Sequence, residues 1–158
     1  MCIRPAEARD IGRLCEIEVF NYRLNFYPIF KNDGFYFKEY TVCALSEAYC
    51  QSPGWIQNTF VFDDGCVKGF VRVSDGRIEK LFVEPVLQSN GIGKALLDYA
   101  VFKKNAKTLW ALEKNARAIS FYRKNGFDLT GETRAEEDTD EYLVKLILKE
   151  EYVHAHRA

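Results

Sequence analysis

The run Leu81-Phe82-Val83-Glu84-Pro85-Val86-Leu87-Gln88-Ser89-Asn90-Gly91-Ile92-Gly93-Lys94-Ala95-Leu96-Leu97 constrains this chain most: an apolar strand, a proline stop, and a glycine-bearing turn that opens directly into a helix. This is the layout of an anion-binding site. Gly91 and Gly93 lack a Cβ, so a ligand can approach the backbone, and the unpaired N–H groups of the helix's first turn point at whatever sits there. The helix dipole adds partial positive charge, which favours phosphate. A nucleoside-triphosphate loop would need a glycine five residues before Gly93 and a Ser or Thr after Lys94, where the chain has Gln88 and Ala95. A dinucleotide fingerprint needs Gly or Ala where Leu96 stands, and an acidic residue at the end of a second strand. What remains is Gln-x-x-Gly-x-Gly after a Leu-Phe-Val strand, a pattern that a plain turn before an amphipathic helix would also satisfy.

A second segment separates the two readings. Thr108 to Glu113 reads as a strand, followed by Lys114-Asn115-Ala116-Arg117-Ala118-Ile119-Ser120-Phe121-Tyr122-Arg123-Lys124-Asn125-Gly126-Phe127. Asn115 is a good N-cap, Ala118, Ile119 and Tyr122 share a helical face, and Gly126 stands where a left-handed C-terminal cap is expected. The ordered pair, Gln-x-x-Gly-x-Gly and then Asn-x-x-Ala-x-x-Phe-Tyr-x-x-x-Gly-Phe, resembles the two signatures of the GNAT N-acetyltransferase superfamily. The resemblance implies a single-domain acyl-CoA N-acyltransferase fold of the α/β (α+β) class, with a mixed, mostly antiparallel sheet and helices on both faces. It also implies acetyl-CoA as co-substrate, with no metal.

The remaining elements agree with that class. Cys2 to Arg4 predicts a first strand, and Asp10 caps a helix whose positions Ile11, Leu14, Cys15, Ile17 and Phe20 form a buried stripe. The pattern predicts a second helix from about Gly34 to Tyr49. Between the two lies an aromatic stretch with Tyr22, Phe26, Tyr27, Pro28 and Phe30. Trp55 to Phe62 and Cys66 to Ser74 read as a hairpin around Asp63-Asp64-Gly65, and Asp75-Gly76 turns into a strand from Arg77 to Val83. Phe127 to Thr133 and Glu141 to Leu148 read as two final strands. The expected order is β-α-α-β-β-β-α-β-α-β-β in one domain over residues 1–150, with a frayed tail over 151–158.

Composition narrows the partners. The net charge of −1 calls for neither nucleic acid nor an anionic membrane. Lys68 to Lys124 holds 12 Lys/Arg against 5 Asp/Glu, whereas Glu132 to Glu141 holds six acidic residues against Arg134 alone. The basic part could receive coenzyme phosphates and the acidic loop a cationic amine; solvated surface explains either cluster equally well. Cysteines 2, 15, 43, 50 and 66 are odd in number and widely spaced, which speaks against disulfide and zinc frameworks. With no apparent signal peptide or membrane-length apolar run, a reducing cytoplasm and a monomer or homodimer are expected. His154 and His156 read as a chance pair rather than a metal site.

Acetyl transfer to an amine requires a base for the amine proton, an acid for the leaving thiolate and N–H donors for the tetrahedral oxyanion. Strand alternation puts Glu79, Leu81 and Val83 on one face and Ile78, Lys80 and Phe82 on the other. Glu79 is therefore the candidate base, acting through water, and its structural alternative is an ion pair with a neighbouring Lys or Arg. The resemblance implies that Leu81, Phe82 and Val83 offer backbone groups to the pantetheine arm and carbonyl oxygen. It places Gln88, Ser89, Asn90, Gly91, Ile92, Gly93 and Lys94 around the pyrophosphate, Asn115 and Ala118 on the pantetheine, and Tyr122 as the acid beside the sulfur. The alternative for Tyr122 is a core tyrosine.

Members of the resembled family that acetylate ribosomal protein N-termini usually carry a glutamate five residues before the Asn; here that position is Trp110. This argues against peptide N-terminal acetylation and for a small amine, entering between the aromatic segment Tyr22 to Tyr40 and the acidic loop; Asp138, Asp140 and Tyr142 lie near the last strands. A non-catalytic acyl-CoA sensor or partner-binding domain is the alternative function. An acid at Tyr122 beside an intact coenzyme loop favours the enzyme.

Overall fold

The structure is a computed structural model and describes residues 2–157. Seven strands form one sheet: β1 (Ile3–Pro5), β2 (Thr59–Asp63), β3 (Val67–Ser74), β4 (Arg77–Val83), β5 (Thr108–Leu112), β6 (Phe127–Ala135) and β7 (Tyr142–Leu148), in the spatial order β1-β2-β3-β4-β5-β7-β6. Every pairing is antiparallel except β4 with β5. Helices α1 (Ile11–Asn25), α2 (Tyr27–Phe30), α3 (Val42–Gln51) and α4 (Pro53–Gln57) precede β2, whereas α5 (Ile92–Lys104) joins β4 to β5, α6 (Ala116–Lys124) follows β5 and α7 (Glu150–His156) follows β7. This is the α/β architecture expected, a mixed, mostly antiparallel sheet with helices on both faces.

Two apolar clusters hold the layers together. On one face Leu14, Cys15, Ile17 and Val19 of α1 and Leu45 and Tyr49 of α3 pack on Val61, Val67 and Phe70. On the other, Leu96, Leu97, Ala100 and Val101 of α5 pack on Val71, Val73, Leu109, Val144 and Leu146. Each large apolar side chain fully buried here contributes roughly 1.5–3 kcal/mol.

Five local expectations are corrected. The helix predicted over 34–49 is broken: Phe35–Glu39 is a single π-helical turn, Tyr40 leaves helical geometry, and α3 begins afresh where the Thr41 hydroxyl accepts from the Ala44 N–H at 3.3 Å. The aromatic residues of this run pack in different directions, with Tyr36 buried and Tyr40 turned to Glu18, and a regular helix could not place both. Trp55 and Ile56 belong to a helical turn started by Pro53, not to a strand, and Trp55 packs edge-on against Tyr49. On α1 the stripe takes in Val19 and Asn21 and leaves Phe20 40% exposed.

In β4 the alternation fails at Glu79. Val73 opposes Ile78 and Arg72 opposes Lys80, so Glu79 is an extra residue in the ladder, a β-bulge. Ile78 thus shares the α5-side core with Leu81 and Val83, while Lys80 and Phe82 face α1. The tail expected to fray is instead the short helix α7, anchored because Tyr152 and Val153 pack on the core and Tyr152 lies against Gly126.

Candidate active site

The parallel pairing of β4 with β5 covers only Arg77 with Thr108 and Ile78 with Leu109. Beyond that point the strands part. The edge of β4 from Glu79 onward loses its partner strand, and a cavity of about 630 Å³ opens in the gap. Its walls include Glu79, Lys80, Leu81 and Phe82 from β4, Trp110 to Leu112 from β5, and Asn115, Ala118 and Tyr122 from α6. Tyr22, Phe26, Phe30, Tyr36 and Glu39 also line it, and the loop before β7 contributes Glu136 to Thr139. Val83 and Gln88 to Lys94 are outside this lining; their loop follows the end of β4 and leads into α5.

That loop has the geometry an anion requires. Ser89 and Gly91 adopt left-handed backbone angles, with φ of 66° and 84°, and a Cβ at Gly91 would meet nothing within 4 Å. Among the described residues, the backbone N–H groups of Ser89 to Lys94 have no acceptor in the protein, and they open the 13-residue helix α5. The Gln88 side chain is already engaged: its amide donates to the Asn21 carbonyl oxygen at 3.0 Å and to the backbone oxygen of Val83 at 3.1 Å, which also accepts from Asn21 at 2.9 Å. It therefore holds the loop against α1. Lys94 is paired along its own helix with Asp98 at 2.6 Å.

Tyr122 is 8% exposed and lines the cavity, and its hydroxyl has no hydrogen-bond partner among the described residues. Burial pushes the phenol well above its ordinary value, so it holds its proton across the neutral range. Phe121 and Phe127 fix the ring, with centroids 5.3 and 5.8 Å away. The Asn115 side-chain oxygen caps α6 by accepting from the Ala118 N–H at 3.3 Å. Glu79, raised by the bulge, forms an ion pair with Arg77 at 2.7 Å, so the structural alternative for this residue is present in the fold, on the cavity wall.

One group of residues escaped the sequence reading. Glu18 is fully buried, and its carboxylate accepts from the hydroxyls of Tyr40 at 2.6 Å and Tyr49 at 2.9 Å and from the Lys80 ammonium. Lys80 also donates to the Tyr22 hydroxyl at 3.0 Å. Burial lowers the Lys80 pKa, but Tyr22 and Glu18 outweigh it and hold the ammonium above its ordinary value. Arg72 continues the network by donating to Tyr49 and, at 3.2 Å, to Thr59. A charged residue on the apolar stripe of α1 was the available signal, since an unpaired carboxylate is not tolerated there.

Residues 55–129, which contain both motifs, match the family model of the acetyltransferase (GNAT) domain. Over that stretch, just under half of its 158 residues, the chain is similar to the GNAT acetyltransferase domain. Over 93 residues it is 29% identical to the peptidyl-lysine N-acetyltransferase YjaB of Salmonella typhimurium, covering 59% of this chain and 62% of that protein. Over 74 residues it is 38% identical to the peptidyl-lysine N-acetyltransferase YiaC of Escherichia coli, covering 46% and 51%. The chain thus aligns with only about half to three-fifths of the length of these curated relatives. The PaiA N-acetyltransferase of Thermoplasma acidophilum, solved in complex with coenzyme A, shares the GNAT fold with a TM-score of 0.62 at 20% identity, over 90% of this chain and 96% of that one. Among the described residues no helix is long and apolar enough to cross a membrane, and no group of three or more His, Cys, Asp or Glu could hold a metal.

Proposed function

We propose that this chain is a GNAT-type, acetyl-CoA-dependent N-acetyltransferase that moves the acetyl group to a primary amine by direct attack in a ternary complex. The observation that carries the reading is the gap between β4 and β5, in which the unpartnered hydroxyl of the largely buried Tyr122 shares one cavity with the unpaired edge of β4. Coenzyme A bound by PaiA and the lysine acceptors named for YjaB and YiaC support the choice of substrates.

In this reading the N–H groups of Ser89 to Lys94 hold the pyrophosphate, and the edge of β4 at Leu81, Phe82 and Val83 binds the pantetheine arm and carbonyl oxygen, with Asn115 and Ala118 on the other side. The neutral amine attacks the thioester carbon, a C–N bond forms, and the tetrahedral intermediate collapses with cleavage of the C–S bond. Tyr122 gives its proton to the departing thiolate. The amine's surplus proton passes through water to the Glu79 carboxylate, which Arg77 keeps oriented.

Tyr122→Phe tests this arrangement. The ring and its packing remain while the donor is lost, so turnover should fall by roughly 100-fold, with acetyl-CoA affinity changed less than about twofold. Equal turnover in the two proteins would make Tyr122 a packing residue.

A further inference from the structure

The charges that line the cavity are unevenly compensated. Of its three basic groups, Arg77 is neutralised by Glu79 at 2.7 Å and Lys80 by the buried Glu18. The third, Arg134, stacks over the Trp110 ring at 4.4 Å. Against that one guanidinium stand four carboxylates with no basic partner among the described residues: Glu39 after the π-helical turn's aromatic run, and Glu136, Glu137 and Asp138 in the loop before β7. The same cavity is lined by aromatic rings, those of Tyr22, Phe26, Phe30 and Tyr36. Tyr122, a residue more than nine-tenths buried, lines the same cavity, and its hydroxyl, which has no partner among the described residues, is left accessible to a ligand there.

A reacting amine must be neutral when it attacks, so the acids would not stabilise it in its reactive form. They suit a second, permanently protonated group on the same acceptor, with the methylenes between the two nitrogens along the aromatic wall and the outer cation held by carboxylates and ring faces. Resting on the acetyl-transfer reading, we infer that the acceptor carries a second positive charge several bonds from the nitrogen that is acetylated. A diamine or polyamine meets this requirement, and so does a lysine side chain flanked by Lys or Arg in a peptide.

Matched pairs test the inference. For the small-molecule source the pair is 1,5-diaminopentane and pentylamine; for the peptide source it is one lysine peptide with Arg neighbours and the same peptide with Ala neighbours. In at least one pair the cationic member should have a kcat/KM at least tenfold higher. That preference should shrink as salt is raised, because screening acts over about 8 Å at physiological ionic strength. It should also shrink in the triple variant Glu136→Gln, Glu137→Gln, Asp138→Asn. Calorimetric binding of the same pairs to the protein provides a readout that needs no turnover. Acetyl transfer without preference in either pair would overturn this inference and leave the transferase reading intact. Absence of transfer to every amine would count against the transferase reading, and the binding preference would then decide this inference alone, with equal affinities overturning it.

Discussion

Replacing Glu18 with Leu should lower stability more than most single changes in this protein. The carboxylate is fully buried and satisfies the hydroxyls of Tyr40 and Tyr49 and the ammonium of Lys80 at once. Removing one partner of a buried ion pair costs about 3–5 kcal/mol, most of it from the charge left behind. The Lys80 side chain remains 23% exposed, so water can solvate the stranded ammonium in part and the lower end applies, about 3 kcal/mol. For a chain of 158 residues, each kcal/mol shifts Tm by roughly 2–4 °C, so the midpoint should fall by about 6–12 °C. Thermal unfolding followed by circular dichroism reads this directly. The double variant Glu18→Leu, Lys80→Met removes both charges and should regain at least half of the loss, because an apolar pair in place of a buried ion pair is often near neutral. A single-variant cost under about 1 kcal/mol, or a double variant no better than the single, would refute the account of this network.

Two further changes probe the loop proposed to hold the coenzyme and the acid limit of the fold. Gly91→Glu puts a carboxylate in open space at a left-handed position, so the fold should survive with modest strain while acetyl-CoA affinity drops more than tenfold, about 1.4 kcal/mol or more by calorimetry; an unchanged dissociation constant would remove this loop from the site. The hydrogen bonds from Arg4 hold the Asp10 carboxyl below its ordinary value of 3.8 despite burial, so its stabilising contribution is present above that value and disappears as pH falls through the lowered one. The stability gap between the parent and Asp10→Asn, measured by urea unfolding, should therefore be constant at neutral pH and close below about pH 4; a gap that persists at lower pH would contradict the sign.

Legibility varied with the range of the interactions involved. The limits of β4 and the caps of α6 depend on local backbone chemistry, and the sequence carried them: Arg77 to Val83 is a strand as read, the Asn115 side chain caps α6, and Gly126 has a φ of 92°. Glu79, Leu81, Phe82, Asn115, Ala118 and Tyr122 also come together around one cavity. The bulge at Glu79 was not legible, because it is set by the register with β3, and period-two counting assumes that no residue is extra. Nor was the Glu18 network. Its partners come from α3, the strand β4 and the residue after the π-helical turn, 22 to 62 positions away along the chain. Asn21 and Gln88, which fasten the loop before α5 to α1 across 67 positions, were hidden for the same reason. The break before Thr41 was missed because the apolar spacing of 34–49 suits a helix, while the packing directions of Tyr36 and Tyr40 do not.

The central claim is that the cavity between β4 and β5 transfers acetyl groups and does more than bind the coenzyme. Its most direct test is to incubate the protein with acetyl-CoA and a panel of amines, polyamines and lysine peptides, following free thiol and the mass of each acceptor. The account predicts thiol release that depends on the amine, matched by an acceptor heavier by one acetyl group for each thiol released. Tight binding of acetyl-CoA with no amine-dependent thiol release across the panel would contradict it and identify the protein as an acyl-CoA-binding domain without turnover.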